Sequence, residues 1–183
     1  VEFLRSDYDR FTMEADPSIT YMSAISAAGI DYAFHIFSSR SRSGLKGTRD
    51  VRMALVKGLA DAGVPLLIGT DSPAGGFSVH QEMALFAEAG LTPYQILNAA
   101  TAEAARYFDK EGEFGTIVEG ASAELVLLDK NPLEDIENAK AIRGVMMRDQ
   151  WWPKEKVDAE LAAIQAEYKA DFEMLKAMQA ASH

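Results

Sequence analysis

A lone aspartate closes an apolar run: residues 64 to 70 read VPLLIGT, and Asp71, Ser72 and Pro73 end it. A carboxylate at the carboxyl end of a buried parallel strand stands where barrel and doubly wound enzymes place catalytic groups, because the loops there open a cleft over the strand ends. Such a group can accept a proton or bind a cation, and it can equally cap the loop at Ser72 or Pro73. His80 falls on the first turn of the next helix, near the same cleft, where it can contact a substrate, ligate a metal or simply satisfy the helix start. His35, in YAFHIF, sits among aromatic and aliphatic residues and reads as structural. Arg40, Arg42 and Lys46 form the one local basic cluster; they could hold a substrate carboxylate, although a solvated loop is the simpler account.

The absent motifs narrow the chemistry. There is no G-x-G-x-x-G and no Gly-Lys-Ser/Thr after the glycines of residues 69 to 76, which disfavours nucleotide cradling. Ser72 and Ser78 lie outside any G-x-S-x-G elbow. His80-Gln81-Glu82 imitates the H-x-E of zinc deaminases, but a chain with 0 Cys cannot complete that site. Zero Cys also excludes disulfides, thiolate zinc sites and a Cys nucleophile, and 3 His restrict any imidazole metal site.

The elements that would position these residues alternate helix and strand. Spacing predicts a helix over 18–28 behind Asp16-Pro17, a loop over 38–47, and a helix over 50–62 with Val51, Leu55, Leu59 and Ala62 on one face. The run at 64–70, apolar on both faces, predicts a central parallel strand covered by helices. Ser78 and Gln81 suggest a capping box for a helix ending at Gly90. Thr92, Pro93 and Gln95 make a second box, stapled by Leu91 and Ile96, for a helix continuing through Leu97, Ala100, Ala104 and Phe108. Short β segments follow at 115–118, 124–129 and 142–147, then a long amphipathic helix over 153–182 striped by Val157, Leu161, Ile164, Tyr168, Phe172, Leu175 and Met178. That stripe can pack on its own chain or form a homo-oligomer contact.

Composition fits an ordinary folded domain: 183 residues, 48% hydrophobic, 25% charged. The 28 acidic against 18 basic residues leave a net charge of -10, which repels phosphate backbones and anionic lipid surfaces, so neither nucleic acid nor membrane is an expected partner. No apolar run is long enough for a membrane span, and the first residues do not form a signal peptide. A start at Val rather than Met suggests a true start upstream, which leaves the compartment undecided.

Taken together, AGVPLLIGTDS, the H-x-E at 80–82, AGLTP, AAT-x-x-A-A and AELVLLDKNPL resemble the carboxyl-terminal part of the metal-dependent amidohydrolase superfamily, and within it the imidazolonepropionase-like and prolidase-like group. The similarity runs from about Ala54 to Trp152. It implies an α/β fold: the carboxyl-terminal fragment of a (β/α)8 amidohydrolase barrel over 1–110, a segment of the small β-sandwich over 111–152, and the amphipathic helix over 153–183. On that map residues 64–70 are the eighth barrel strand. Asp71 is then a metal ligand and the proton shuttle for a metal-activated water, with His80 and Ser72 on the substrate side. The resemblance further implies one or two divalent metals, Zn2+ foremost, and a small amide substrate: a cyclic amide or a dipeptide ending in Pro.

The departures from the family pattern shape the expectation as much as the match. The H-x-H pair of the first strand, the carboxylated Lys of the fourth and the His residues of the fifth and sixth are not found here. A closed barrel of this kind takes about 250 residues. The expectation is therefore a fragment, inactive alone, whose remaining metal ligands lie outside it. The alternative is a truncated or degenerate relative that serves as a non-catalytic binding or assembly module.

Overall fold

A computed structural model describes residues 17–27, 29, 42–71 and 75–181. A 3-10 turn, Pro17–Tyr21, precedes a short helical stretch over 24–27. Helix α1 spans Arg42–Asp61, α2 Gly75–Glu88, α3 Pro93–Ala100 and α4 Ala102–Tyr107. Strands β1 (Leu125–Leu128), β2 (Ile142–Met147) and β3 (Gln150–Pro153) form an antiparallel sheet in that order, and α5 runs from Lys154 to Ala181. The fold is thus a mixed helix and sheet structure. Among the described residues no helix is long and apolar enough to cross a membrane.

The best-defined helix start is the one with the most local chemistry. Thr92 caps α3 in extended geometry, its side chain accepting from the Gln95 amide while the Gln95 side chain accepts from the Thr92 amide, and Pro93 occupies the first turn. The flanking Leu91 and Ile96 are both buried, Ile96 completely. They join Met83, Phe86, Ala99, Ile136 and Ala139 in one apolar core, against which Val56, Ala60, Leu66 and Ile68 also pack. The core therefore sits between α2, α3, the turn Ile136–Lys140 and the segment entering Asp71. An ion pair between Arg49 and Glu88 ties α1 to α2.

Several sequence expectations are corrected. Residues 64–70 form no strand: among the described residues nothing pairs with them, and the only sheet is β1–β3. A strand exists only through a neighbour that takes its amides and carbonyls, and here they go elsewhere. The Ile68 amide donates to the carbonyl of Ala99 at 3.2 Å. Leu66 and Ile68 turn to the core, while Pro65 and Gly69, which alternate with them, are exposed and Leu67 is only partly buried, so one face of the run is covered more fully than the other.

Residues 42–47, read as loop, are the opening turns of α1; extending a long helix outweighs the roughly 1 kcal/mol that each of Gly44 and Gly47 costs. On that helix Val51 and Leu55 are exposed, and Val56 and Ala60 make the packing face instead. Ser78 is not a cap. Helix α2 already includes Gly75, with Phe77 stacked on Tyr21 at 4.8 Å between ring centroids, and Ser78 is buried inside it.

The helix from Pro93 does not run unbroken to Phe108. It divides at Thr101 (φ -135, ψ -86), whose hydroxyl donates to the carbonyl of Leu97. Residues 115–118 form no strand, and Ile117 is 87% exposed. By contrast β1 lies within the expected 124–129, and β2 occupies the expected 142–147.

The long helix is present, and it packs on its own chain against β2, β3 and the turn Pro17–Tyr21. Val157, Leu161, Tyr168 and Phe172 are partly buried, and Gln165 Nε2 donates to Thr20 Oγ1 at 2.9 Å.

Candidate functional site

Asp71 stands where the apolar segment leaves the core. Leu66 and Ile68 anchor the segment, and three residues after Ile68 the chain turns through Asp71 at φ 45. The left-handed region costs most L-residues about 1–2 kcal/mol, and aspartate is one of the few that enters it readily. Its side chain is exposed and, among the described residues, has no hydrogen bond or ion pair. The arrangement leaves a carboxylate free to meet water, a cation or a reacting group.

Helix α2 carries the other candidates. Residues two apart on an α-helix lie about 200° apart around its axis, so His80 and Glu82 serve different neighbours. His80 is partly buried beside the turn Ile136–Lys140. Burial lowers its pKa, the nearby Lys140 adds to the lowering, and Glu137 opposes it. The ring is therefore neutral near pH 7, and its buried Nδ1 has no hydrogen-bond partner among the described residues. Glu82 faces the Asp71 segment: it is 7% exposed, and its Oε2 accepts from the Gly69 amide at 3.1 Å. One hydrogen bond thus joins the helix of His80 to the turn of Asp71.

His35, Arg40 and Ser72 lie outside the described residues. Arg42 and Lys46 fall in the opening turns of α1 rather than in a loop. Among the described residues, no group of three or more His, Asp or Glu side chains could share a metal ion. Catalytic zinc normally takes about three protein ligands. An exposed carboxylate on a fixed turn suits one such ligand, but the described residues do not build the centre by themselves.

In the sequence Glu82 stands out only as part of the H-x-E at 80–82. The usable signal was a carboxylate among Ser78, Val79, Leu85 and Phe86, its neighbours at three and four residues on the helix, of which Ser78, Leu85 and Phe86 are buried.

Residues 14–152 match the amidohydrolase family. Ochratoxinase of Aspergillus niger is 32% identical over 94 residues, which are 51% of this chain and 20% of that protein. Imidazolonepropionase of Treponema denticola is 32% identical over 111 residues, 58% of this chain and 26% of that protein. Among solved structures, a prolidase complexed with n-methylphosphonate-l-proline is similar, with a TM-score of 0.52 and 29% identity over 61% of this chain and 28% of its own. A Xaa-Pro dipeptidase with bound methionine shares the fold, at a TM-score of 0.53 and 23% identity over 61% of this chain and 28% of its own. The chain spans only about a fifth to a quarter of the length of the curated relatives it matches. With the match extending over residues 14–152, the chain belongs to the amidohydrolase family.

Proposed function

We propose that this chain contributes the proton-transfer carboxylate of a hydrolase acting on C–N bonds of small amides. Asp71 is that group. The observation that carries the reading is its backbone: an exposed carboxylate on a left-handed turn, at the end of a segment that two elements hold by consecutive amides. Ochratoxinase, imidazolonepropionase and prolidase relatives support C–N hydrolysis as the reaction class and a cyclic amide or an X-Pro dipeptide-like compound as the substrate class.

In the proposed reaction a water oxygen bonds to the amide carbonyl carbon, and the proton it loses passes to the Asp71 carboxylate. When the C–N bond breaks, the proton moves from Asp71 to the departing nitrogen. Water is consumed, an acid and an amine form, and Asp71 returns to its ionised state. His80 and Ser72 are assigned to the substrate side. A divalent metal, Zn2+ in the first instance, is part of the proposal, with its other ligands outside the described residues. In keeping with this division, residues 1–110 are assigned to the carboxyl-terminal part of a (β/α)8 barrel, 111–152 to a β-sandwich segment and 153–183 to the terminal helix.

The test has two arms. Metal content of the purified 183-residue chain after exhaustive dialysis should fall well below one equivalent, and the chain alone should not hydrolyse amides. In the complete enzyme, Asp71→Asn should cut turnover severely while leaving the fold in place. A full equivalent of retained zinc, or near-normal turnover in the variant, overturns the assignment.

A further inference from the structure

Glu82 is a carboxylate in an apolar place. It lies on α2 among the buried Ser78, Met83, Leu85 and Phe86, and only 7% of its surface reaches solvent. Among the described residues no cation pairs with it, and the one hydrogen bond it makes there is from the Gly69 amide at 3.1 Å. Burying a carboxylate is costly, and for packing alone an apolar side chain of similar volume would serve at least as well. A polar carboxyl group there therefore points to a task at Gly69.

That amide has no sheet to hold it. The segment 64–70 lacks a strand partner among the described residues, and consecutive amides are captured by different elements instead: Ile68 by the Ala99 carbonyl at the end of α3, Gly69 by Glu82 of α2. Two residues later the chain enters the left-handed turn at Asp71. Without the second clamp, only Thr70 separates a loosened Gly69 from that turn.

We infer that Glu82 is a positioning residue for Asp71: its buried carboxylate fixes the Gly69 amide and, through it, the turn that presents Asp71 for proton transfer. The role in turnover rests on the hydrolase reading; the clamp itself does not. Bonds between a carboxylate and a backbone amide are among the stronger hydrogen bonds. Losing one should release Gly69 without melting α2, whose hold on the core comes from Met83 and Phe86, with Val79 and Ala87 packed against it.

Amide hydrogen exchange on the 15N-labelled full chain tests the clamp. Glu82→Leu should raise Gly69 exchange by about tenfold or more while the amides of Met83 to Phe86 keep their protection. Glu82→Gln, which retains an acceptor oxygen, should hold Gly69 within a few-fold of wild type. Unchanged Gly69 exchange in Glu82→Leu overturns the inference whatever the enzyme does. Should Glu82→Leu fail to fold, Glu82→Asp, one methylene shorter, is held to the same criterion.

In the complete enzyme, Glu82→Leu should lower kcat by about ten- to a hundredfold with KM nearly unchanged, and Glu82→Gln should restore most of it. Normal turnover despite a released Gly69, or a Gln variant as impaired as the Leu one, overturns the positioning role. Full activity in Asp71→Asn would instead remove the hydrolase reading and leave the exchange result standing.

Discussion

If Asp71 is present for chemistry, replacing it should leave stability nearly unchanged and abolish turnover. The carboxylate is exposed and, among the described residues, makes no hydrogen bond or ion pair, so its removal forfeits no contact there. What remains is backbone. At φ 45 the aspartate pays about 1 kcal/mol, the low end of the left-handed cost for L-residues. Asp71→Gly relieves that strain and loses about 0.5–1 kcal/mol through the greater freedom of glycine in the unfolded chain. The two terms nearly cancel, giving a net change within about 1 kcal/mol of zero. Asp71→Asn, equally tolerant of this region, should be close to neutral.

Urea unfolding measures this directly. With a slope of about 2 kcal/mol/M for a domain of this size, the midpoints of both variants should stay within about 0.5 M of wild type. In the complete enzyme the same two variants should lose about 10²–10⁴ in kcat, the usual range for a positioned acid or base. A loss of more than about 2 kcal/mol in either variant would refute the reasoning, because Asp71 would then be holding structure. Turnover within a few-fold of wild type in Asp71→Asn would refute it from the other side.

Other parts of the structure make independent predictions. Ile96 is fully buried at the centre of the core, and Ile96→Ala should cost about 2–5 kcal/mol in urea unfolding. Gly115 sits at φ +81, where an added Cβ would lie 2.7 Å from the carbonyl oxygen of Thr101; Gly115→Ala should therefore cost about 2–4 kcal/mol in the same assay, combining strain with a clash against backbone. His80 has a folded-state pKa lowered from 6.5 by burial, so the unfolded chain takes up its proton first on acidification. Its contribution is fully present above about pH 6.5 and declines as the pH falls toward the lower folded-state value. Comparing urea midpoints at about pH 7.5 and pH 5.5, wild type should lose more than His80→Gln; equal losses would remove His80 as the source.

The features legible in the sequence are those whose chemistry is local. Thr92, Pro93 and Gln95 specify a helix start within four residues, and the structure closes both hydrogen bonds of that box. The strand at Ile142–Met147 and the helix at Lys154–Ala181 follow from pattern over similarly short windows. Ser78 and Gln81 have the same box spacing and still do not cap, because α2 is already helical at Gly75 and Phe77 finds Tyr21, far away in sequence. Strand β3 is not legible in the sequence for a different reason. Its hairpin turn puts Arg148 and Asp149 at φ 50 and 62, a conformation usually announced by Asn-Gly or Asp-Gly, and neither residue here is glycine.

The segment at 64–71 separates what position can reveal from what it cannot. Its apolar run marks residues that seek cover, since Leu66 and Ile68 reach the core, and at its end the structure places Asp71 exposed on a left-handed turn. Whether such a run becomes a strand depends on which chain lies beside it, and no local pattern encodes that. In this structure the neighbouring chain is a pair of helices, and the hydrogen bonds a sheet would have supplied are met by one carbonyl and one buried carboxylate. The aspartate is visible from sequence because its position is defined by what precedes it. Glu82 is not, because its role is defined by an amide thirteen residues earlier that only the fold brings within 3.1 Å.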